Sequence, residues 1–271
     1  MNYSKLKLTS SLLPGYTLFV SIFLFVILIS CKKNPGLAPQ NGIYVNGILS
    51  TGNISNSGVV APAGTTWSEC QPDLSSNTSN WSIGTGCFYN STHNIWIADD
   101  FTIPSGQTWA ISKIAVYGLV SNSTTNPFDG LHLQIWDGKP GLSTSSIIYG
   151  DANTNFLSQV IDSLIYGIQN SVIPAPGVVP DLTRKFWKLV ANVDKTLQAG
   201  TYWLAWQTHI FSGLESYAPF IKAKNARSLP SWNAVVAFVS GGGWGPATDP
   251  GNPTSAPDLP QDFPFEIVYT Y

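Results

Sequence analysis

Charge is the scarcest commodity in this chain of 271 residues. Asp, Glu, Lys and Arg make up 10% of it, against about 25% in an average globular domain. The 13 basic residues form no cluster, which excludes the electrostatic footprint of a nucleic-acid binder. Histidine is rarer still, and His93, His132 and His209 stand alone, with no His-x-x-x-His spacing and no Glu-His pair. Cys-x-x-Cys and mixed His/Cys clusters are missing too, which excludes the common zinc spacings. Glu69, Glu215 and Glu266 are the only glutamates, and no motif nominates a carboxylate pair of the glycosidase kind. No Gly-x-Ser-x-Gly elbow occurs. Gly241-Gly-Gly243 leads to Trp244 and Pro246 rather than into a helix, so it is no phosphate loop. The polar surface has to come from Ser, Thr, Asn, Gln and Gly, which suits neutral ligands such as glycans better than ionic ones.

One long apolar run is present, and it is N-terminal. Lys5 and Lys7 precede Pro14, and Tyr16–Ile29 then supplies 14 uncharged residues that end in Leu28-Ile29-Ser30-Cys31. That length fits the core of a secretory signal and is short for a membrane span. A small residue followed by cysteine at its end resembles a bacterial lipoprotein signal. The resemblance implies cleavage before Cys31, a thioether-linked diacylglycerol and an added acyl chain. It also implies a membrane partner reached through the lipid, since several chains anchor stably where one does not. Lys32, rather than Asp, would be the second mature residue, which points to the outer membrane. Lys32 and Lys33 add a small, salt-sensitive attraction to anionic head groups. Loss of residues 1–30 removes Lys5 and Lys7 and leaves 11 basic against 15 acidic residues, a net charge of about −4.

With Cys31 acylated, Cys70 and Cys87 remain. Two cysteines 17 positions apart in an oxidising compartment predict one disulfide. A loop of that size would contribute ~3 kcal/mol. Residues 31–65, rich in Asn, Gly, Ser and Pro, read as a flexible tether, with a short strand over Ile43–Leu49 as an option. Residues 66–271 suffice for one well-buried domain.

From Trp67 onward the pattern is β. Ile95–Ile103 is expected to stop at Pro104, with a turn at Pro104-Ser105-Gly106 before a second strand over Trp109–Val120. Leu131, Leu133 and Ile135 alternate with His132, Gln134 and Trp136, the clearest period-two segment. Gln198-Ala199-Gly200 reads as a turn before Thr201, and residues 241–262 as a long loop. Residues 156–168 are ambiguous, because Phe156, Leu157, Val160, Ile161, Leu164, Ile165 and Ile168 fall on one helical face. Many short strands with Gly/Pro turns predict an all-β fold, a single jelly-roll-like β-sandwich with long Gly/Pro-rich loops.

Four segments carry a second resemblance. They are Ala61–Glu69, Ala98-Asp-Asp-Phe-Thr-Ile-Pro104 with Gly106 and Trp109, Ile135-Trp-Asp-Gly-Lys-Pro-Gly141, and Gly200-Thr-Tyr-Trp-Leu-Ala-Trp-Gln207. In order and spacing, over roughly residues 61–271, they resemble a family of secreted bacterial β-sandwich domains. That family carries ADDFT-x-P-x-G-x-x-W, IW-x-G-x-PG and GTYWL-x-W blocks, and Gln261–Phe265 resembles its final strand. The resemblance implies a fold and no particular activity. It makes residues 156–168 a strand, although Gly167 stands where the family has Arg in an Ile-Tyr-Arg block.

Asp99 and Asp100, as strand neighbours, point to opposite faces and cannot act as one acid pair. They could contribute to a structural calcium site with loop oxygens. The commoner use of such an Asp is to accept backbone N–H groups at a turn. Trp203 and Trp206 must face opposite sides of a strand, and together with Trp109 and Trp136 they belong to apolar faces. Trp232 and Trp244, in Gly/Pro/Ser loops, are the better candidates for an exposed sugar-stacking platform. These readings favour a non-catalytic binding or adhesion module, with carbohydrate as a candidate ligand. A structural envelope protein that binds other proteins is the first alternative, and a hydrolase without a recognisable motif the second.

Overall fold

The computed structural model describes residues 39–175, 177–213, 215–238 and 243–271, and among them there is no helix. In chain order the strands are β1 (Asn41–Asn46), β2 (Thr66–Glu69), β3 (Pro72–Asp73), β4 (Thr78–Ser79), β5 (Gly84–Gly86), β6 (Trp96–Leu119), β7 (Phe128–Trp136) and β8 (Ile147–Asp151). They continue with β9 (Leu157–Ile168), β10 (Lys185–Ile210), β11 (Tyr217–Pro219), β12 (Val235–Ala237), β13 (Gly245–Pro246), β14 (Thr248–Asp249), β15 (Leu259–Pro260) and β16 (Phe265–Thr270). The fold is all-β, as the alternating pattern and turn residues imply. The apolar run, Cys31, Lys32 and Lys33 lie outside the described residues.

The strands do not divide into the two packed sheets expected of a sandwich: apart from the small pairs β3-β4 and β14-β15, they belong to one sheet. Twelve strands form one continuous sheet with the spine β1-β16-β6-β10-β7-β8. Its long ribbon is β6 against β10, antiparallel from Ile97↔Trp206 to Leu119↔Phe186. Residues expected to divide these elements instead bend them. Ile103 pairs with Gly200 and Thr108 with Gln198, so β6 carries extra residues opposite Ala199. Pro104 and Gly106 (φ +81°) sit in that excess, where a left-handed residue is needed, and the ribbon kinks without reversing. Ile97, Phe101 and Ile103 before the kink join Trp109, Ile111, Ile114 and Val116 after it in one buried cluster. The sheet thus folds over a single core, with Leu131, Leu133, Ile135, Leu204 and Trp206 among its fillers. Trp203 lies in a different cluster from Trp206, on the opposite face, as the period of two requires.

The domain starts earlier than residue 66. β1 pairs with β16 from Asn41↔Thr270 to Asn46↔Phe265, and isolated bridges link Gly52 to Trp67 and Ile54 to Val60. An edge strand needs only one packed face, and Tyr44 supplies it by lying against Phe101, Trp109 and Phe265. The Asn/Gly/Ser composition concealed this. Residues 157–168 are strand β9, paired with β10 and, in parallel, with β2. A register shift between Asp162 and Tyr166, with Leu164 at φ +58°, displaces the apolar residues from strict alternation into helix-like spacing.

The expected disulfide is absent. Cys70 packs with Leu49, Ile83, Leu119 and Phe186, whereas Cys87 belongs to the main core, and both are buried free thiols. Cysteine count and compartment suggested a pair, but the segments that follow β2 and β5 deliver the two sulfurs to different clusters. Burial pushes the Cys70 thiol up to about 12 and raises that of Cys87 as well, so neither is reactive while folded. Alkylation in denaturant without reductant is expected to modify both Cys70 and Cys87, with mass spectrometry as the readout. A mass two hydrogens lighter and unmodified cysteines would contradict this packing.

Candidate binding site

Of the two residues considered for calcium, Asp99 serves as an anchor. Asp99 faces the core and is buried. Its Oδ1 accepts the Asp100 N–H at 2.9 Å, and its Oδ2 accepts Asn46 Nδ2 and the Phe263 N–H, both at 2.8 Å. That carboxylate ties β1 and the approach to β16 onto β6, and both its oxygens are occupied by nitrogen donors. Asp100 lies on the other face, opposite Trp203 in the ladder. Among the described residues no three His, Cys, Asp or Glu side chains converge as metal ligands. The donor set does not fit calcium.

Neither Trp232 nor Trp244, the candidates for an exposed platform, is exposed. Trp232 is 7% exposed, held in by a turn in which Asp262 Oδ1 accepts the Asn233 and Ala234 N–H groups. Trp244 is half-buried, edge-on to Trp136 at 6.5 Å, and covers the second apolar cluster around Trp96, Trp203 and Val235. Both indoles plug the fold. The exposed one is Trp81, with 51% of its surface accessible. Its context, a tryptophan among Ser and Asn in a loop, is the same signal that singled out Trp232. Loop context alone could not rank them.

Trp81 stands at a cavity of about 310 Å³. Its position is fixed from beneath. Asp249, fully buried, accepts the N–H groups of Trp81 at 2.7 Å, Ser82 at 2.8 Å and Gly251 at 2.8 Å. Arg227 lies 4.0 Å from Asp249 and donates from Nε to Asn80 Oδ1. Asn80 Nδ2 donates in turn to Arg227 O and Gln261 Oε1. Asn170 Oδ1 accepts the Val172 and Ile173 N–H groups, and Asn252 Nδ2 donates to Ile173 O. Of the wall amides, Asn80 and Asn252 are therefore consumed in building the cavity, whereas Asn170 is engaged only through Oδ1 and its buried Nδ2 has no hydrogen-bond partner among the described residues. Among those residues the fourth wall amide, Gln169, has no hydrogen-bond partner, and neither has the Trp81 indole N–H. No charged side chain lines the cavity among those residues, and Ile173 and Val178 add apolar wall. A flat apolar ring beside free amide donors can hold a neutral, hydroxyl-rich ring by face contact and hydrogen bonds.

The histidines are less isolated than their spacing implied. Tyr89 stacks on His132 at 3.9 Å and lies 5.0 Å from His209, whose Nδ1 is 2.6 Å from Asp129. His132 Nδ1 is paired with Gln207 Nε2, and burial lowers its pKa. No hydroxyl is bonded to either imidazole among the described residues, so this is packing rather than a nucleophile-and-base pair. No protein-family model matches the chain, and no curated protein matches it.

Burial pushes the Asp262 carboxyl up to about 6, with the charge of Asp100 adding to the rise, and burial raises Asp99 with help from Asp262. The folded state therefore binds these protons more tightly than the unfolded chain, and their contribution to stability is lost as pH rises. The melting temperature of Asp262→Asn is expected to vary less with pH between about 4 and 6 than that of the parent. The parent should lose a few °C more across that interval. Parallel melting curves for the two proteins would contradict the assignment.

Proposed function

We propose that the chain is an exported lipoprotein, anchored through acyl groups on Cys31 and facing the envelope from the outer membrane. Its β-domain binds a neutral carbohydrate at the Trp81 cavity and does not turn it over. The observation that carries the reading is an exposed indole over a cavity whose wall is amide and aliphatic, without charge. Low overall charge points the same way. Membership of the family of secreted β-sandwich domains draws support from the sheet. Asp100 and Trp136 both pair with Trp203, so the ADDFT, IW and GTYWL blocks meet as neighbouring strands. A second reading, an envelope protein that binds other proteins, draws on Ile43 and Val45, which are 64% and 58% exposed on edge strand β1.

The test is glycan-array binding by the purified protein, with calcium and with EDTA. Saturable binding unaffected by EDTA is expected. Trp81→Ala should weaken it about tenfold or more, a loss of ~1.4 kcal/mol. Stability should stay within ~0.5 kcal/mol, because the side chain is largely exposed. Full retention of binding in Trp81→Ala, or loss in EDTA, would contradict the assignment. Absence of binding to any glycan would favour the protein-partner reading.

A further inference from the structure

Gln169 borders more than the Trp81 cavity. That side chain is also the wall of a second hollow of about 180 Å³, lined by Ser82, Ser121, Arg184 and Tyr217. Ser121 and Tyr217 in turn wall a third hollow of about 520 Å³, which reaches Asn90, Thr92, His93 and Glu215. The three adjoin through shared lining residues, Gln169 between the first and second and Ser121 with Tyr217 between the second and third. Their chemistry changes little from one to the next. Side-chain amides recur in each hollow, hydroxyls join them in the second and third, and each has a planar ring in or at its wall: Trp81, Tyr217, and Tyr217 with His93. Of the two charged side chains that line the hollows, Glu215 already accepts the Tyr217 hydroxyl at 2.6 Å. Arg184 lies 3.9 Å from Asp181. A single small ligand would occupy the first hollow and leave the other two to solvent.

We infer that the ligand is a linear oligosaccharide that runs from Trp81 past Gln169 to Tyr217 and His93, and that affinity depends on its length. This rests on the carbohydrate reading of the Trp81 cavity and extends it. The polar, ring-walled path offers repeated contacts to a repeated unit, and each successive sugar adds contact without a second loss of whole-molecule translational and rotational freedom.

Isothermal titration with linear glucose, xylose, mannose and N-acetylglucosamine oligomers, from monomer to hexamer, tests the path. For the series that binds, the dissociation constant should fall about tenfold or more from dimer to hexamer. Ser121 is exposed between the second and third hollows, so Ser121→Trp blocks the path without disturbing the core. In that variant the hexamer should bind no better than an oligomer confined to the nearer hollows, while the dimer keeps its parental affinity. Trp81→Ala should weaken all lengths alike. Equal affinity at every length, or an undisturbed hexamer in Ser121→Trp, would overturn the extended path and leave the Trp81 site standing. No binding by any series would overturn both.

Discussion

The pairing of β6 with β10 is the constraint on which the remainder depends. Two strands of 24 and 26 residues run antiparallel over nearly their whole length and bend together where β6 carries extra residues opposite Ala199. Every large part of the sheet attaches to this ribbon. β12 and β16 take the outer edge of β6 in its first and second arms, and β7 and β9 take the outer edge of β10 in the corresponding arms. Because both arms send side chains into one cluster, the bend converts one sheet into a wrapper around a core. The free energy gained is that of burying large aromatics such as Phe101, Trp206 and Phe265, at roughly 25 cal/mol for each Å² of apolar surface.

Scarce charge is used for attachment. Asp99 holds β1 and the start of β16, Asp249 holds the Trp81 loop, and Asp262 holds the Trp232 turn. Glu69, buried at the end of β2, accepts the Asn56 N–H at 2.8 Å and the Ser171 hydroxyl at 2.5 Å. A buried carboxylate is costly unless it is hydrogen-bonded, and each of these accepts at least two donors. Such groups fasten irregular segments to a sheet that offers them few ladder bonds. The consequence reaches the surface: with these carboxylates turned inward, the cavity beside Trp81 is left to amides, aliphatic side chains and one indole.

Much of this was legible in the sequence wherever a side chain's neighbours are local. The alternation of Leu131, Leu133 and Ile135 identified β7, and the three-residue spacing of Trp203 and Trp206 placed them on opposite faces. What escaped depends on distant partners. β1 is a strand because Tyr44 finds Phe101, Trp109 and Phe265, none of them nearby in sequence. Pro104 and Gly106 signal a turn in isolation, and only the uninterrupted partner β10 makes them a kink. Bulged β9 counterfeits helical spacing. Cys70 and Cys87 look like a pair until the strands assign them to different clusters. Trp81 and Trp232 occupy similar loops, and which indole is exposed follows from Asp249 and Asp262, residues far along the chain.

The most direct measurement is the response of the tryptophan indole N–H resonances to a bound glycan, followed by ¹H–¹⁵N correlation during titration. The Trp81 Nε1–H should shift progressively to saturation, while those of Trp232 and Trp206, both buried, should stay nearly still. Movement of the Trp232 or Trp244 indole with a stationary Trp81 would place the ligand elsewhere and contradict the site.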